Sequence, residues 1–223
     1  QLRTRRVALE AEGALLGEVV RVPYANPLGL GQHPLGLHQG RFDLRDGVNF
    51  NRQVPDLSST VADAVAGRLG DDPVHNVAVV REALRSAAGA LGAEHPAQDL
   101  KRRLLQLAVD ADLVLDLHCD ADAVVHLYAL TPQSALAEEL GALLGAQAVL
   151  LATDSGDLPF DEACSRPWLM LQQRYPQHPL PLACFSPTVE LRGEADTGHE
   201  LAAQDADAIV EFLRRRGVLA GAP

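Results

Sequence analysis

Apolar residues recur along this chain with two periods, and the alternation between them sets out the fold. Spacings of three and four predict helices over 1–12, 58–69, 73–91, 97–109, 133–144, about 160–175 and 199–216. Short runs rich in Val and Leu predict strands over 18–24, 112–118, 123–130, 147–152 and 181–193. Punctuation agrees with these bounds. Gly13, Gly70, Gly92, Pro96 and Gly217 end or open helices, Asn26-Pro27 stops the first strand, and Pro187 interrupts the last. The run DLVLDLH (112–118) is almost continuously apolar, as expected of a strand covered on both faces. Residues 25–56 follow neither period and are rich in Gly, Pro, His and Asn. A loop of that length inside a compact domain is usually functional or disordered. Strands alternating with helices predict an α/β domain with a mixed, mostly parallel central sheet flanked by helices.

Composition narrows the picture. The 223 residues suit a single domain, and the hydrophobic fraction of 47% is enough for a core. Only 4% is aromatic, so Ala, Leu and Val do the filling. A net charge of −11 argues against a nucleic-acid partner, because phosphate binding needs a basic surface. Arginine supplies nearly all the positive charge, and Lys101 is the only lysine. Cys119, Cys164 and Cys184 are isolated, with no C-x-x-C pair, which predicts free thiols in a reducing cytoplasm. No apolar core of a signal peptide is present, and no run of ~18 apolar residues predicts a membrane partner.

Polar groups concentrate in three places. In GRFDLRDGVNFNR (40–52), Arg41, Arg45, Asn49, Asn51 and Arg52 alternate with Phe42, Val48 and Phe50. A solvated loop with surface arginines is the plain alternative. Apolar residues that pin the loop would instead hold rigid arginine and asparagine groups, which fork onto a carboxylate. In VLDLHCDADAVVHLY (114–128), a strand runs into Asp116, His118, Asp120 and Asp122. Ligands gather at the carboxyl ends of strands in α/β sheets. A neutral imidazole there suits zinc, with a carboxylate orienting its other nitrogen. A hydrogen-bonded strand-end histidine is the alternative. Asp120, Asp122 and His126 are a less favoured metal cluster, since His126 lies inside the next apolar strand. In PTVELRG (187–193), Glu190 is one carboxylate in an apolar strand. It is either paired with Arg192 or a distant arginine, or employed as a general base on a metal-bound water.

Taken in order, these segments resemble the succinylglutamate desuccinylase/aspartoacylase family of zinc carboxypeptidase-like enzymes. The match lies in G-R-F-x(7)-N-F-N-R (Gly40 to Arg52), V-L-D-L-H (Val114 to His118) and P-T-V-E-L (Pro187 to Leu191), with ANPLG (25–29) before the long loop. The resemblance implies a zinc carboxypeptidase-like (phosphorylase/hydrolase-like) fold with one catalytic zinc per site. His118 is then a metal ligand, and Asn51 and Arg52 bind the substrate carboxylate. Arg41 polarises the scissile carbonyl, with Arg45 as the competing candidate, and Glu190 activates water. The implied reaction is hydrolysis of an amide bond in a small, anionic N-acyl amino acid or related compound.

The sequence also departs from the family. Two further zinc ligands come from an H-x-x-E pair that precedes a helix resembling 1–12, and no H-x-x-E occurs in this chain. The chain is therefore expected to be a single catalytic core (1–223) that begins just after two of its three zinc ligands and lacks a small C-terminal β-rich domain. As it stands it is expected to hold zinc weakly, to hydrolyse little, and to associate with further copies through exposed apolar surface. Two rivals remain: a metal-free relative that binds a carboxylate without cutting, and a zinc carboxypeptidase. Serine-hydrolase and nucleotide-binding chemistry lack their motifs, as neither G-x-S-x-G, G-x-G-x-x-G nor a P-loop is present.

Overall fold

A computed structural model describes residues 1–221. Its helices are α1 (Leu2–Ala11), α2 (Pro27–Leu30), α3 (Ser58–Val65), α4 (Pro73–Ala90), α5 (Pro96–Ala108), α6 (Ser134–Leu144), α7 (Phe160–Arg174) and α8 (His199–Arg215). The strands are β1 (Asp116–Asp120), β2 (His126–Leu130), β3 (Ala148–Ala152) and β4 (Thr188–Gly193). The chain divides into two compact units. One comprises 1–21, 115–152 and the residues from Pro187 onward; the other comprises 22–114 and 153–186.

The first unit contains the whole sheet, in the order β1-β4-β2-β3. β1 runs parallel to β4 and β2 parallel to β3, while β2 and β4 are antiparallel, so the sheet is mixed and mostly parallel. α6 covers β2 and β3, α8 lies on α6, and α1 lies on α8. The sequence explains these faces. Ala137, Leu140, Gly141 and Leu144 recur at helical spacing on the buried side of α6. Ala206, Ile209 and Phe212 do the same on α8. Opposite them, Leu127 and Val189 are almost fully buried in the sheet. Gly141 permits the close approach of α6: a Cβ there would meet Val149 Cγ2 at 3.1 Å.

The second unit packs α3, α4, α5 and α7 around Val61, Val65, Val80, Leu84, Leu105, Trp168 and Leu171. Its helices start where the sequence supplies caps. The Asp72 side chain accepts a bond from Val74 N at 3.0 Å with Pro73 at the first position of α4. His95 and Pro96 open α5 in the same way. Asn76 is completely buried on α4. Its amide spans Gly70 N (2.8 Å), Gly70 O (2.9 Å) and Pro179 O (3.1 Å), tying the turn before α4 and a loop distant in sequence to the helix.

Three strand expectations are corrected. Residues 18–24 form no strand despite their alternation; no neighbouring strand offers them a ladder, and Val20 and Val22 are exposed. The strand expected at 112–118 forms at Asp116–Asp120 and is open on one side, because β1 is an edge strand. The strand expected over 181–193 is confined to Thr188–Gly193, and only an isolated bridge between Leu113 and Phe185 precedes it. The expected strands 123–130 and 147–152 and the seven long helices form within a few residues of their predicted bounds. Within 25–56, the single turn of α2, a 3₁₀ turn at Pro34–Gly36 and an isolated bridge between Phe42 and Asn49 form.

Candidate functional site

In the first unit, β1 and β4 place His118 directly beside Glu190, and β2 places His126 on the other side of Glu190. Residues paired across strands project from the same face of a sheet, and neighbouring strands lie about 4.8 Å apart. Two imidazoles therefore flank one carboxylate along a single row. Asp116, two residues before His118, lies on the same face by the strand period. Its Oδ2 is 2.8 Å from His118 Nε2, which fixes the tilt of the ring. His126 is held by its own segment: its Nδ1 donates to Val124 O at 2.8 Å, and its ring meets the Tyr128 ring edge-on at 5.2 Å.

The backbone beside this row is irregular. His118 pairs with Glu190 and Asp120 pairs with Gly193, so two steps on β1 are matched by three on β4. One residue is extra, and the bulge falls at Leu191–Arg192, where Arg192 has φ 108°. A non-glycine residue at that φ is strained and persists only where its surroundings hold it. Asp205 on α8 does so, receiving two 2.8 Å bonds from the Arg192 guanidinium. This fork engages both terminal nitrogens of Arg192 with α8. His118 lies inside β1, with two strand residues following it. Cys119 is exposed between these groups. Burial and the charges of Glu190, Glu194 and Asp120 push its thiol up, which favours the unreactive protonated form.

In the second unit, Arg41, Arg45, Asn51 and Arg52 lie on one irregular segment braced by a bridge between Phe42 and Asn49. Phe50 is buried and anchors it, whereas Phe42 is about half exposed and does not pin the loop as the sequence suggested. Arg45 is occupied locally. Its Nε lies 3.0 Å from Asp43 Oδ2, and its Nη2 lies 2.9 Å from His95 Nδ1. Asp43 is buried, and its hydrogen bonds from Arg45 hold its carboxyl below the usual carboxylate range against the opposing effect of burial. Arg45 therefore clamps the loop to the start of α5. Asn51 fixes the start of α7, its Oδ1 accepting from Phe160 N at 2.9 Å. The Arg52 Nη1 donates to Asn51 O at 2.7 Å, and Arg52 O accepts from Lys101 Nζ at 2.6 Å. Half-buried Arg52 is thus held at both its guanidinium and its backbone. Arg41 is exposed.

His118 brings one imidazole suited to a metal, oriented by a carboxylate as metal-binding histidines usually are. Among the described residues, however, no three His, Cys, Asp or Glu side chains are grouped to hold a metal ion. A catalytic zinc needs three protein ligands, so the residues present do not make its ligand set. The sequence led to His126 being set aside as a strand residue and gave Asp43 no part. His126 alternates with Tyr128 and reads as a strand residue; only the register of β2 on β4 brings it to Glu190. Asp43 stands two residues from Arg45, and that spacing was the available signal for the clamp.

No family model matches the chain, and no curated protein does. Solved structures do. One is of a Shewanella amazonensis protein assigned to the succinylglutamate desuccinylase/aspartoacylase family. It is 27% identical with a TM-score of 0.85, over 99% of this chain and 61% of that one. A second, from Shewanella frigidimarina and assigned to the same family, is 25% identical with a TM-score of 0.82, over 99% and 60% of the two chains. The chain thus spans about three-fifths of the length of each of these structures.

Proposed function

The chain belongs to the succinylglutamate desuccinylase/aspartoacylase family, and from that membership we propose that it contributes the reaction centre of a deacylase-type hydrolase acting on a small N-acyl amino acid. The observation that carries the proposal is the adjacency of His118 and Glu190 in the β1–β4 register, beside a bulge held by Arg192 and Asp205. Bulges beside active sites re-aim side chains and are retained for that reason.

In this assignment Glu190 is the general base. Its carboxylate takes a proton from water as the water oxygen attacks the acyl carbon. The same proton then passes to the leaving nitrogen as the carbon–nitrogen bond breaks, which gives a carboxylic acid and a free amino acid. Asp116 keeps the His118 ring in one orientation. Among the described residues no three ligand side chains are grouped beside this pair to hold a metal ion. In the second unit, the Arg52 fork and the Asn51 amide suit a carboxylate, and Arg41 suits a polarised carbonyl oxygen. Arg45, tied to Asp43 and His95, is assigned a structural role instead.

One observation favours a second reading. Arg52 is half buried and held in place, yet among the described residues no carboxylate lies within ion-pair distance of it. A carboxylate-binding relative without hydrolytic activity would need nothing more than that. Incubating the full-length gene product with N-acetyl and N-succinyl amino acids, and following release of the free amine, separates the two. Amine release supports the hydrolase; saturable binding without release supports the binder.

A further inference from the structure

A cavity of about 660 Å³ lies within the second unit, among Asp43, Asp46, Phe50, Glu94, His95 and Lys101. Its volume falls in the range of small-molecule sites. Charge is distributed unevenly over its wall. Lys101, the only lysine of the chain, is 8% exposed and forms the inner charge. Its Nζ donates to Arg52 O at 2.6 Å, and among the described residues no carboxylate lies within ion-pair distance of it. An ammonium carries three donors, so one carbonyl leaves most of its capacity unused. The carboxylates of Asp46, Asp157 and Asp43 act on it only at longer range, and burial pulls its pKa down. Asp43 is in any case taken by Arg45.

Asp46 and Glu94 are exposed on the same wall, and among the described residues neither has an arginine or lysine within ion-pair distance. Val48, Phe50, Pro55 and Ala97 supply apolar surface to the same cavity. A buried cation short of an anion, two exposed carboxylates short of a cation, and apolar surface beside them match one class of ligand.

We propose that this cavity binds a free α-amino acid, with its carboxylate on Lys101 and its ammonium on Asp46 and Glu94. The incoming carboxylate replaces the solvation that Lys101 loses on burial. The ammonium end excludes simple anions, which the two acidic residues repel. This site does not rest on the hydrolase assignment and stands or falls by binding alone.

The test is calorimetric titration of the full chain with three probes: L-alanine, N-acetyl-L-alanine, which lacks the cation, and L-alaninamide, which lacks the anion. L-alanine is expected to bind about tenfold or more tightly than either one-ended probe. Lys101→Met is expected to lower L-alanine affinity to that of the amide. An Asp46→Asn, Glu94→Gln double variant is expected to lower it to that of the acetylated probe. The double variant changes only exposed positions, so it decides the matter even where Lys101→Met fails to fold. Equal binding of the three probes, no binding of any, or L-alanine affinity unchanged in the double variant overturns the proposal.

Discussion

His118 and Glu190 are cross-strand neighbours on adjacent parallel strands, and the register breaks immediately beyond them. An imidazole and a carboxylate so placed in a sheet are constrained by two backbones instead of by loop conformation. That is the kind of rigid support a reacting pair requires. Asp116 adds a third constraint through the His118 ring.

Asp116→Asn tests that constraint. The substitution keeps shape and one oxygen but removes the charge that orients the imidazole. Second partners of functional histidines typically contribute ten- to a hundredfold. We expect kcat/KM for N-acyl amino acid hydrolysis to fall by about tenfold or more, with the thermal midpoint nearly unchanged. An unaltered kcat/KM would show that His118 needs no such partner.

Zinc titration tests the metal fit. With no grouped set of three ligand side chains among the described residues, this chain is expected to bind zinc weakly, without a tight one-to-one plateau. Calorimetry or competition with a chelating dye measures it. A tight stoichiometric complex would mean that the ligand set assembles from groups the fold keeps apart.

Asp43 and Arg45 give a pH prediction. The folded pKa of Asp43 is depressed, chiefly by its hydrogen bonds from Arg45. A depressed carboxyl contributes stability that is present above its unfolded pKa, about 3.9. That contribution is lost as pH falls through the lower folded value. Arg45→Met should weaken this acid-side dependence, because it removes the side-chain bonds to Asp43 while the backbone N–H of residue 45 still donates to it. Denaturant unfolding at several pH values from about 2 to 6 reads the effect. Identical pH profiles for the two proteins would contradict the clamp.

Asn76→Ala tests the packing of the second unit. It removes the side-chain partner of Gly70 N and Pro179 O, while Gly70 O keeps a bond from the His178 ring. A lost buried side-chain hydrogen-bonding group costs roughly 1–3 kcal/mol, and a loss of about 2 kcal/mol is expected in chemical unfolding. A loss below about 1 kcal/mol would mean that water substitutes for the amide.

The helices were legible because their ends carry local signals: Asp72-Pro73 and His95-Pro96 cap α4 and α5 wherever those helices end up in the fold. Strand positions were less so. The alternation of 18–24 is a necessary condition for a strand, but pairing is supplied by a neighbour, and none is there. His118 and Glu190 could be singled out because polar groups in apolar runs demand an explanation. The part of His126 could not, since register between β2 and β4 is set by tertiary packing. Arg45 and Arg52 look alike as residues. What separates them is Asp43, whose burial beside Arg45 emerges only when the loop folds back on α5.

The most direct test of the account is the rate of N-acyl amino acid hydrolysis by the full-length gene product carrying Glu190→Gln or His118→Ala. Folded Glu190→Gln is expected to lose about two to four orders of magnitude in kcat, the range of a positioned acid–base group, and folded His118→Ala to lose at least about tenfold. Turnover within threefold of the unaltered protein in both variants, with folding intact by circular dichroism, would contradict the assignment of the reaction to this pair.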